Sequence, residues 1–412
     1  MQIAINAERL ASELNQLASF SDAPAPAVTR IVFTEADLRA RAWLKGRCRA
    51  AGLVIREDAI GNTFAQWNGS SPDLPAIATG SHIDAIPNSG RYDGTVGVLG
   101  ALEAIRSLQE NGFAPQRPIE LLIFTSEEPS RFGIGCLGSR LLSGALDPHH
   151  AADLRDSAGA SLEEVCRAAG FSGPLSSVCL PPGHYAAFLE LHIEQGPLLE
   201  RERVQIGLVS SIAAPASLKI VIEGEGGHAG GVLMPHRRDA LAAAAEIILA
   251  VERLALSTGA LDTVATTGLC DVFPGAINSI PSRVTLGLDV RDTDAARRDA
   301  LLRDIEQTAQ AIAQKRSLSV QIRLMNADRP GHCEPAILDA LRRACEQQRV
   351  TFMPIVSRAY HDSLFMSRIA PTAMLFIPCR AGVSHRPDEF ASLGDICAGV
   401  RLLAQTLANL AQ

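Results

Sequence analysis

Aromatic residues make up only 4% of this 412-residue chain, and basic residues are outnumbered: 38 Lys and Arg against 45 Asp and Glu leave a net charge of −7. Nucleic-acid and anionic-membrane surfaces need clustered positive charge. Neither partner is expected, and an anionic ligand must be held locally by individual arginines. No apolar run is long enough to span a bilayer, and Met1 to Asn6 carry no basic stretch leading into an apolar one, so no secretory signal is expected. The nine cysteines are odd in number, scatter from Cys48 to Cys397 and include no C-x-x-C pair. That argues against a disulfide framework and a thiolate metal site. It fits a reducing cytoplasm in which each cysteine serves as a small apolar core residue.

What is present describes an ordinary globular protein too long for one hydrophobic core, so two domains are expected. Thr34 caps a predicted helix that glycine ends at Gly52. Short apolar runs at 75–81, 119–125 and 186–191 read as strands, and Val96 to Leu108 has helical spacing. The alternation implies an α/β domain with a buried sheet, whose sites form beyond the carboxyl ends of the strands. From about residue 211 the order becomes strand (217–223), helix (239–254), strands (261–273 and 282–291), helix (295–315) and strand (318–324). This β-α-β-β-α-β pattern describes a ferredoxin-like α+β insertion. The expected organisation is therefore a first domain over 1–211 and 327–412, with an inserted domain over 212–326. Ser172 to Gly183 reads as a surface loop or linker.

Several predicted strands end in side chains suited to chemistry. In Gly80-Ser-His82-Ile-Asp84 the imidazole would project from the sheet edge with Asp84 close enough to orient it, as histidine metal ligands usually require. Alone, the pattern also suits a hydrogen-bonded structural histidine. Asp93 stands in the glycine-rich turn from Asn88 to Gly97, where a carboxylate either caps the following helix or bridges two cations. Glu127 and Glu128 close the strand from Ile119. Adjacent buried acids repel, so something positive must offset them. On an extended chain their side chains point opposite ways, which lets one bind a metal while the other moves protons; an exposed acidic turn is the plain alternative. His192 ends the run from Phe188 and leads to Gln195, and His385 follows the loop from Cys379 to Ser384. Three imidazoles and two carboxylates suffice for two ions if Asp93 bridges them. With no soft ligand, zinc, manganese and cobalt all fit. Gly133-Ile-Gly135-Cys-Leu-Gly138 matches G-x-G-x-x-G, but it lies beyond the acidic pair instead of joining strand to helix. It reads as close packing beside that loop, not a nucleotide site.

The order of these motifs resembles the hydantoinase/carbamoylase branch of the dizinc aminoacylase-like peptidases and amidohydrolases, over essentially the whole chain. The resemblance implies a mixed, largely parallel sheet with flanking helices, and a ferredoxin-like insertion that serves as lid and dimerisation domain, hence a homodimer. It implies two divalent ions per subunit, zinc or manganese: His82 and His192 on one, Glu128 and His385 on the other, Asp93 bridging and Glu127 the general base. Gly224-Glu-Gly-Gly-His228-Ala-Gly230, by its residues a tight glycine turn, resembles the motif whose histidine reaches the other subunit's site and steadies the developing oxyanion. Asn278-Ser-Ile-Pro281 and Asp289-Val-Arg291 resemble the segment that grips a substrate carboxylate, a task suited to a planar guanidinium. Gln195 is a further candidate for substrate contact.

Two departures from the carbamoylase pattern narrow the substrate. Gly231-Val-Leu-Met234-Pro235 replaces a Thr-Thr-Pro-Met type of segment, and Tyr360 stands before His361-Asp362 where glycine is usual. Tyrosine for glycine fills space and adds a hydroxyl, favouring a small polar substrate, with Tyr360 and His361 in contact with it. Both segments are similar to the ureide-degrading members of the family, which act on a ureido group carried by a two-carbon hydroxy acid. The expected activity is metal-dependent hydrolysis of a linear C–N amide bond in a small ureido or N-carbamoyl carboxylate. N-carbamoyl-L-amino acids and allantoate are alternative substrates; an exopeptidase and a non-catalytic dimeric binding protein are the other classes.

Overall fold

The computed structural model describes residues 3–412, in two compact units: the chain up to Ser210 together with His332–Gln412, and Ser211–Gly331. Among the described residues no helix is long and apolar enough to cross a membrane.

The described residues of the first unit build a nine-stranded mixed sheet. Its centre is four parallel strands in the order Thr372–Ile377, Tyr185–Ile193, Ala76–His82 and Ile119–Phe124. Antiparallel strands flank them, Ile206–Ile212 on one side and Thr63–Trp67 then Val54–Glu57 on the other. Parallel pairing joins all four strands in the middle of the sheet. There the strands are covered on both faces and read as nearly continuous apolar runs, all six residues of Ile119–Phe124 being buried. Helices Thr95–Glu110 and Leu393–Leu410 pack together on one face. The other face is covered by a core that includes Phe33, Ile60, Phe64, Phe124, Phe188 and the apolar side chains of 132–178. Leu175 and Val178 belong to that core, so the 172–183 segment is an anchored loop.

Two glutamates interrupt the apolar strands, and both are hydrogen-bonded, as burial requires. Glu120 accepts from the Tyr185 hydroxyl at 2.5 Å. Glu190 accepts from the hydroxyls of Ser81 at 2.7 Å and Ser363 at 2.6 Å, tying neighbouring strands to the 360s loop.

The second unit is a four-stranded antiparallel sheet in the order Val264–Phe273, Arg283–Asp292, Ala214–Glu223, Ser319–Ala327. Helices Ala240–Ser257 and Ala295–Lys315 share its core, each begun by an aspartate, Asp239 or Asp294, that accepts from the first backbone N–H groups. Residues of Arg283–Asp292 alternate between buried and less buried, so one face of the sheet is packed under the helices. The unit extends past residue 326, where the periodic pattern stops, because the last strand runs to Ala327 and Asp328 stays bound: its N–H donates to Pro215 O at 3.3 Å and its carbonyl accepts from Arg298.

Candidate metal centre

Four of the five candidate ligands leave the sheet at one edge. Pairing register sets His82 opposite Phe124 and His192 opposite Phe376, so His82, the turn at 125–128, His192 and the loop from Ile377 toward His385 all follow the carboxyl ends of adjacent parallel strands. Asp93 arrives from the turn before Thr95–Glu110. The N-cap of that helix is Gly94, with no side-chain cap, so the Asp93 carboxylate is available for another task. Gly94 is required here: its φ is +64°, and a Cβ would lie 2.4 Å from His82 Nε2.

Asp93 divides its oxygens between two groups. Oδ1 lies 3.6 Å from His82 Nε2 and 3.2 Å from His192 Nε2. Oδ2 lies 3.2 Å from His385 Nε2, which is itself 3.2 Å from Glu128 Oε1. A tetrahedral ion with bonds of about 2.0–2.2 Å has ligand-to-ligand edges of about 3.3–3.6 Å. The four separations, two edges of each triad, come within about 0.1 Å of that spacing, and within each triad the ligand atoms all lie within 4.8 Å of one another. The imidazoles are oriented for the task. His82 Nδ1 lies 3.1 Å from the Asp84 carbonyl and His192 Nδ1 lies 2.9 Å from the Ile193 carbonyl. A carbonyl only accepts, so each Nδ1 carries the proton and each Nε2 faces Asp93.

The electrostatics call for cations. Burial works against the charged form of His82, yet Glu127, Asp84 and Asp93 overcome it and hold its pKa well above the usual value. Hydrogen bonds to Asp93 and Glu128 raise His385 to about 11. Asp93, despite burial, is held well below the ordinary carboxylate range by His192, His385 and His82. Burial pushes Glu127 well upward, and Glu128, Asp362 and Asp84 add to it. Without ions, the cluster must hold protons to balance four buried carboxylates, those of Asp84, Asp93, Glu127 and Glu128. Divalent ions bound there would replace those protons.

Asp84 orients His82 as expected, though through its carbonyl, and one expectation, the separation of the two glutamates, needs correction. The Asp84 carboxylate is not the nearest partner of His82: its Oδ1 stands 3.6 Å from Nδ1, farther than the carbonyl. Its oxygens accept instead from the backbone N–H groups of Glu127 at 3.2 Å and Glu128 at 3.0 Å. Nor are the two glutamates parted by an extended strand. The strand stops at Phe124, Ser126 takes a left-handed φ of 56°, and Asp84 pins the turn that separates the side chains. Glu128 reaches His385, while Glu127 Oε2 lies 3.6 Å from His82 Nε2. Gln195 and His385 share the unusual left-handed backbone, at 55° and 59°. Such strain clusters where function holds it in place.

Gln195 Nε2 donates to Asp93 Oδ2 at 2.7 Å, and its buried Oε1 has no hydrogen-bond partner among the described residues. His361 is buried, its ring centroid 4.5 Å from that of His192 and edge-on to it. Tyr360 is half-buried, its hydroxyl accepting from Arg140 at 3.3 Å. His228, Asn278 and Arg291 belong to the second unit. His228 pairs with Ser279 in a short antiparallel bridge, and Asn278 O accepts from Ala229 N–H at 2.9 Å, so these two are neighbours. Arg291 lies toward the far end of Arg283–Asp292 and binds Asp289 at 2.7 Å. The G-x-G-x-x-G run offers no phosphate cradle: the N–H groups of Cys136, Leu137 and Gly138 are taken by the carbonyls of Glu127, Ser126 and Thr125.

Sequence reasoning missed Glu389, which is buried. Its Oε1 accepts from the backbone of Tyr92 at 2.7 Å and Asp93 at 3.2 Å, and its Oε2 from Ser384 Oγ at 2.9 Å. Ser384 Oγ also lies 2.8 Å from Asp93 Oδ2, so its one proton is shared between the two carboxylates. Only their closeness in sequence to His385 hinted at either. Glu190 was more visible, as an acid inside an apolar strand two residues before His192.

The model of Peptidase family M20/M25/M40 spans residues 78–409. The chain belongs to this family. Within the M20 family it is 50% identical over 415 residues to "Ureidoglycolate hydrolase" of Arabidopsis thaliana, covering 99% of this chain and 87% of that one. It is 38% identical over 409 residues to the N-carbamoyl-L-amino acid amidohydrolase of Geobacillus stearothermophilus, covering 99% of each. Among solved structures, AtUAH in complex with (S)-hydroxyglycine superposes with a TM-score of 0.90 at 50% identity, covering 99% of this chain and 98% of that one. A hydantoinase/carbamoylase family amidase from Burkholderia multivorans does so at 0.89 and 34%, with the same coverage. The hydantoinase/carbamoylase branch expected from the motifs is therefore the right one. The chain is a metal-dependent M20 amidohydrolase acting on C–N bonds other than peptide bonds.

Proposed function

We propose that this enzyme binds two divalent ions, zinc or manganese, and hydrolyses ureidoglycolate. The observation that carries the two-ion reading is the pair of ligand triads meeting at Asp93, His82–Asp93–His192 and Asp93–Glu128–His385, with edges of tetrahedral length. Bound there, such ions polarise a substrate carbonyl and make water nucleophilic near neutral pH. The substrate assignment is supported by the 50% identity to the Arabidopsis protein, by related structures holding (S)-hydroxyglycine and glyoxylate, and by the space that Tyr360 fills where carbamoylases have glycine.

Glu127 is the proton carrier. Its carboxylate takes a proton from the attacking water and returns it to the leaving nitrogen; burial, which raises its proton affinity, suits a base that must next act as an acid. Asn278 and Arg291 hold the substrate carboxylate, and Gln195, Tyr360 and His361 contact the remainder. His228 of the partner subunit steadies the oxyanion in a homodimer formed through the second unit, which also acts as lid. Hydrolysis releases ammonia, carbon dioxide and hydroxyglycine, and hydroxyglycine sheds a second ammonia to give glyoxylate. We place the reaction in purine breakdown in a reducing cytoplasm, in keeping with the nine free cysteines.

N-carbamoyl-L-amino acids are the second reading, favoured by the 38% identity to the Geobacillus enzyme, and allantoate the third, with an allantoate amidohydrolase of Escherichia coli at 33%. Metal analysis combined with ammonia release from ureidoglycolate, allantoate and N-carbamoyl-L-amino acids separates them. Ureidoglycolate is expected to give the highest kcat/KM. A higher value for another substrate reassigns the enzyme, and a metal-loaded protein inert toward all of them is a binding protein.

A further inference from the structure

The glycine-rich run 133–138 is left without a task by the metal centre, yet it is laced to the acidic turn along its length. The N–H groups of Cys136, Leu137 and Gly138 donate to Glu127 O, Ser126 O and Thr125 O at 2.7, 2.8 and 2.8 Å. Gly138 sits so close that a Cβ there would lie 2.2 Å from Asn62 Oδ1, the atom that accepts from Thr125 N–H at 2.9 Å. Such flush packing makes the run a rigid backing for residues 125–128. Out of it come three polar side chains. Cys136, held at a left-handed φ of 55°, is fully buried and places its thiol 3.2 Å from Glu127 Oε1. Ser139 Oγ donates to Asp362 Oδ1 at 2.5 Å. Arg140, 5% exposed, donates from Nε to Gly135 O at 2.7 Å and from Nη2 to Tyr360 Oη at 3.3 Å, with its guanidinium carbon 4.2 Å from the Phe365 ring centre.

We propose that residues 133–140 are a positioning brace that fixes the proton carrier and the substrate-facing Tyr360–Asp362 turn relative to each other: Cys136 orients the Glu127 carboxylate, and Arg140 sets the tyrosine. The inference rests on Glu127 being the proton carrier. A carboxylate with one oxygen engaged by a buried donor has one rotamer to choose, which leaves Oε2 directed to the His82 side of the ion site. Tyr360, accepting from a cation stacked on Phe365, is held in place on the turn that leads into His361. Neither Cys136 nor Arg140 need touch substrate for this.

The test uses the metal-loaded protein. Cys136→Ala is expected to lower kcat about tenfold, with KM and metal content unchanged, because a misaligned base loses productive geometry. Cys136→Ser restores a hydroxyl donor and is expected to recover to within about threefold of the parent. An unchanged kcat in Cys136→Ala, or a serine variant no better than alanine, overturns the brace; so does loss of metal in step with activity, which would mark a merely structural role. Arg140→Met is expected to raise the kcat/KM ratio of bulky N-carbamoyl-L-amino acids to ureidoglycolate about tenfold, and an unchanged ratio overturns that half.

A spectroscopic readout needs no turnover. The S–H stretch of Cys136, isolated as the Raman difference between the parent and Cys136→Ser, should lie below that of an unengaged thiol and move upward in Glu127→Gln, whose carboxamide is a weaker acceptor. A band that does not move overturns the thiol contact. If the parent protein hydrolyses none of the substrates, the proposed function fails, while the Raman shift still judges the contact between Cys136 and Glu127.

Discussion

Replacing Gly94 with alanine tests the geometry of the His82–Asp93–His192 triad without reference to any substrate. Two costs arise, and a second variant separates them. The first is conformational: Gly94 has φ +64°, and an L-residue there is strained by about 1–3 kcal/mol. Gly112, at φ +72° with nothing within 4 Å of a built Cβ, is the control for positive-φ strain without a clash. The second cost is specific to the site. The new methyl would stand 2.4, 2.5 and 2.6 Å from Nε2, Cδ2 and Cε1 of His82, where ordinary contact begins at 3.4 Å. The ring must therefore retreat by about 1 Å, several times the tolerance of about 0.2 Å in a metal–ligand bond. Gly94→Ala is expected to lose about one ion per chain and at least about a hundredfold in metal affinity, while Gly112→Ala keeps its full complement. Metal analysis by mass spectrometry after dialysis against a weak chelator decides it. Equal metal in the two variants would refute the placement of His82 beside an ion.

Glu127→Gln keeps the shape of the side chain and the backbone bonds to Asp84, so metal content should persist while turnover falls by about 10²–10⁴; normal ammonia release would remove Glu127 as proton carrier. Proton competition gives a pH prediction. With no cation bound, Asp93 and Glu128 hold the His385 pKa at about 11, so an arriving ion must displace that proton, and apparent metal affinity rises with pH up to that region. By the same sign, the imidazolium stabilises the cation-free fold fully below about pH 6.5 and progressively less as pH climbs toward 11. Titration calorimetry in buffers of different ionisation enthalpy should show net proton release near pH 8, and buffer-independent heats would contradict it. Arg291→Ala should raise KM about tenfold or more with a smaller effect on kcat. Unchanged affinity for carboxylate substrates would mean that the guanidinium, bound at 2.7 Å to Asp289, serves the sheet and not the substrate.

Much of this centre could be read from the chain because buried parallel strands announce themselves as apolar runs, and several histidines and acids at the ends of such runs are together hard to explain as structural residues. His82, Glu128 and His192 were visible in that way. Asp93 was ambiguous, since a carboxylate before a helix is usually a cap; only the structure, with Gly94 at the N-cap position, shows its oxygens turned toward three imidazoles. Asp84 was placed correctly beside His82, which it orients through its carbonyl, but a sequence does not show that its carboxylate meets backbone N–H groups 43 and 44 residues away. Glu389, hinted at only by its nearness to His385, and Cys136 were not singled out. Their partners, Asp93 and Glu127, lie in segments brought near by the tertiary fold, and no local periodicity records such a meeting. The second unit's order of strands and helices followed from alternation, whereas its end did not, because Asp328 is held by a carbonyl and an arginine far away in the chain.

Within the first unit, the proposed ion ligands are anchored differently from Tyr360, and this bears on how new specificities arise. His82 and His192 stand in adjoining rows of one hydrogen-bonded ladder, where inserting a single residue into Tyr185–Ile193 would turn His192 to the opposite face and abolish chemistry outright. Tyr360 hangs from a turn that is itself bound to that ladder, Ser363 Oγ donating to Glu190 at 2.6 Å. Diet is therefore open to change at the side chain of residue 360 alone, whereas lengthening or shortening its turn would pull on the strand that carries His192.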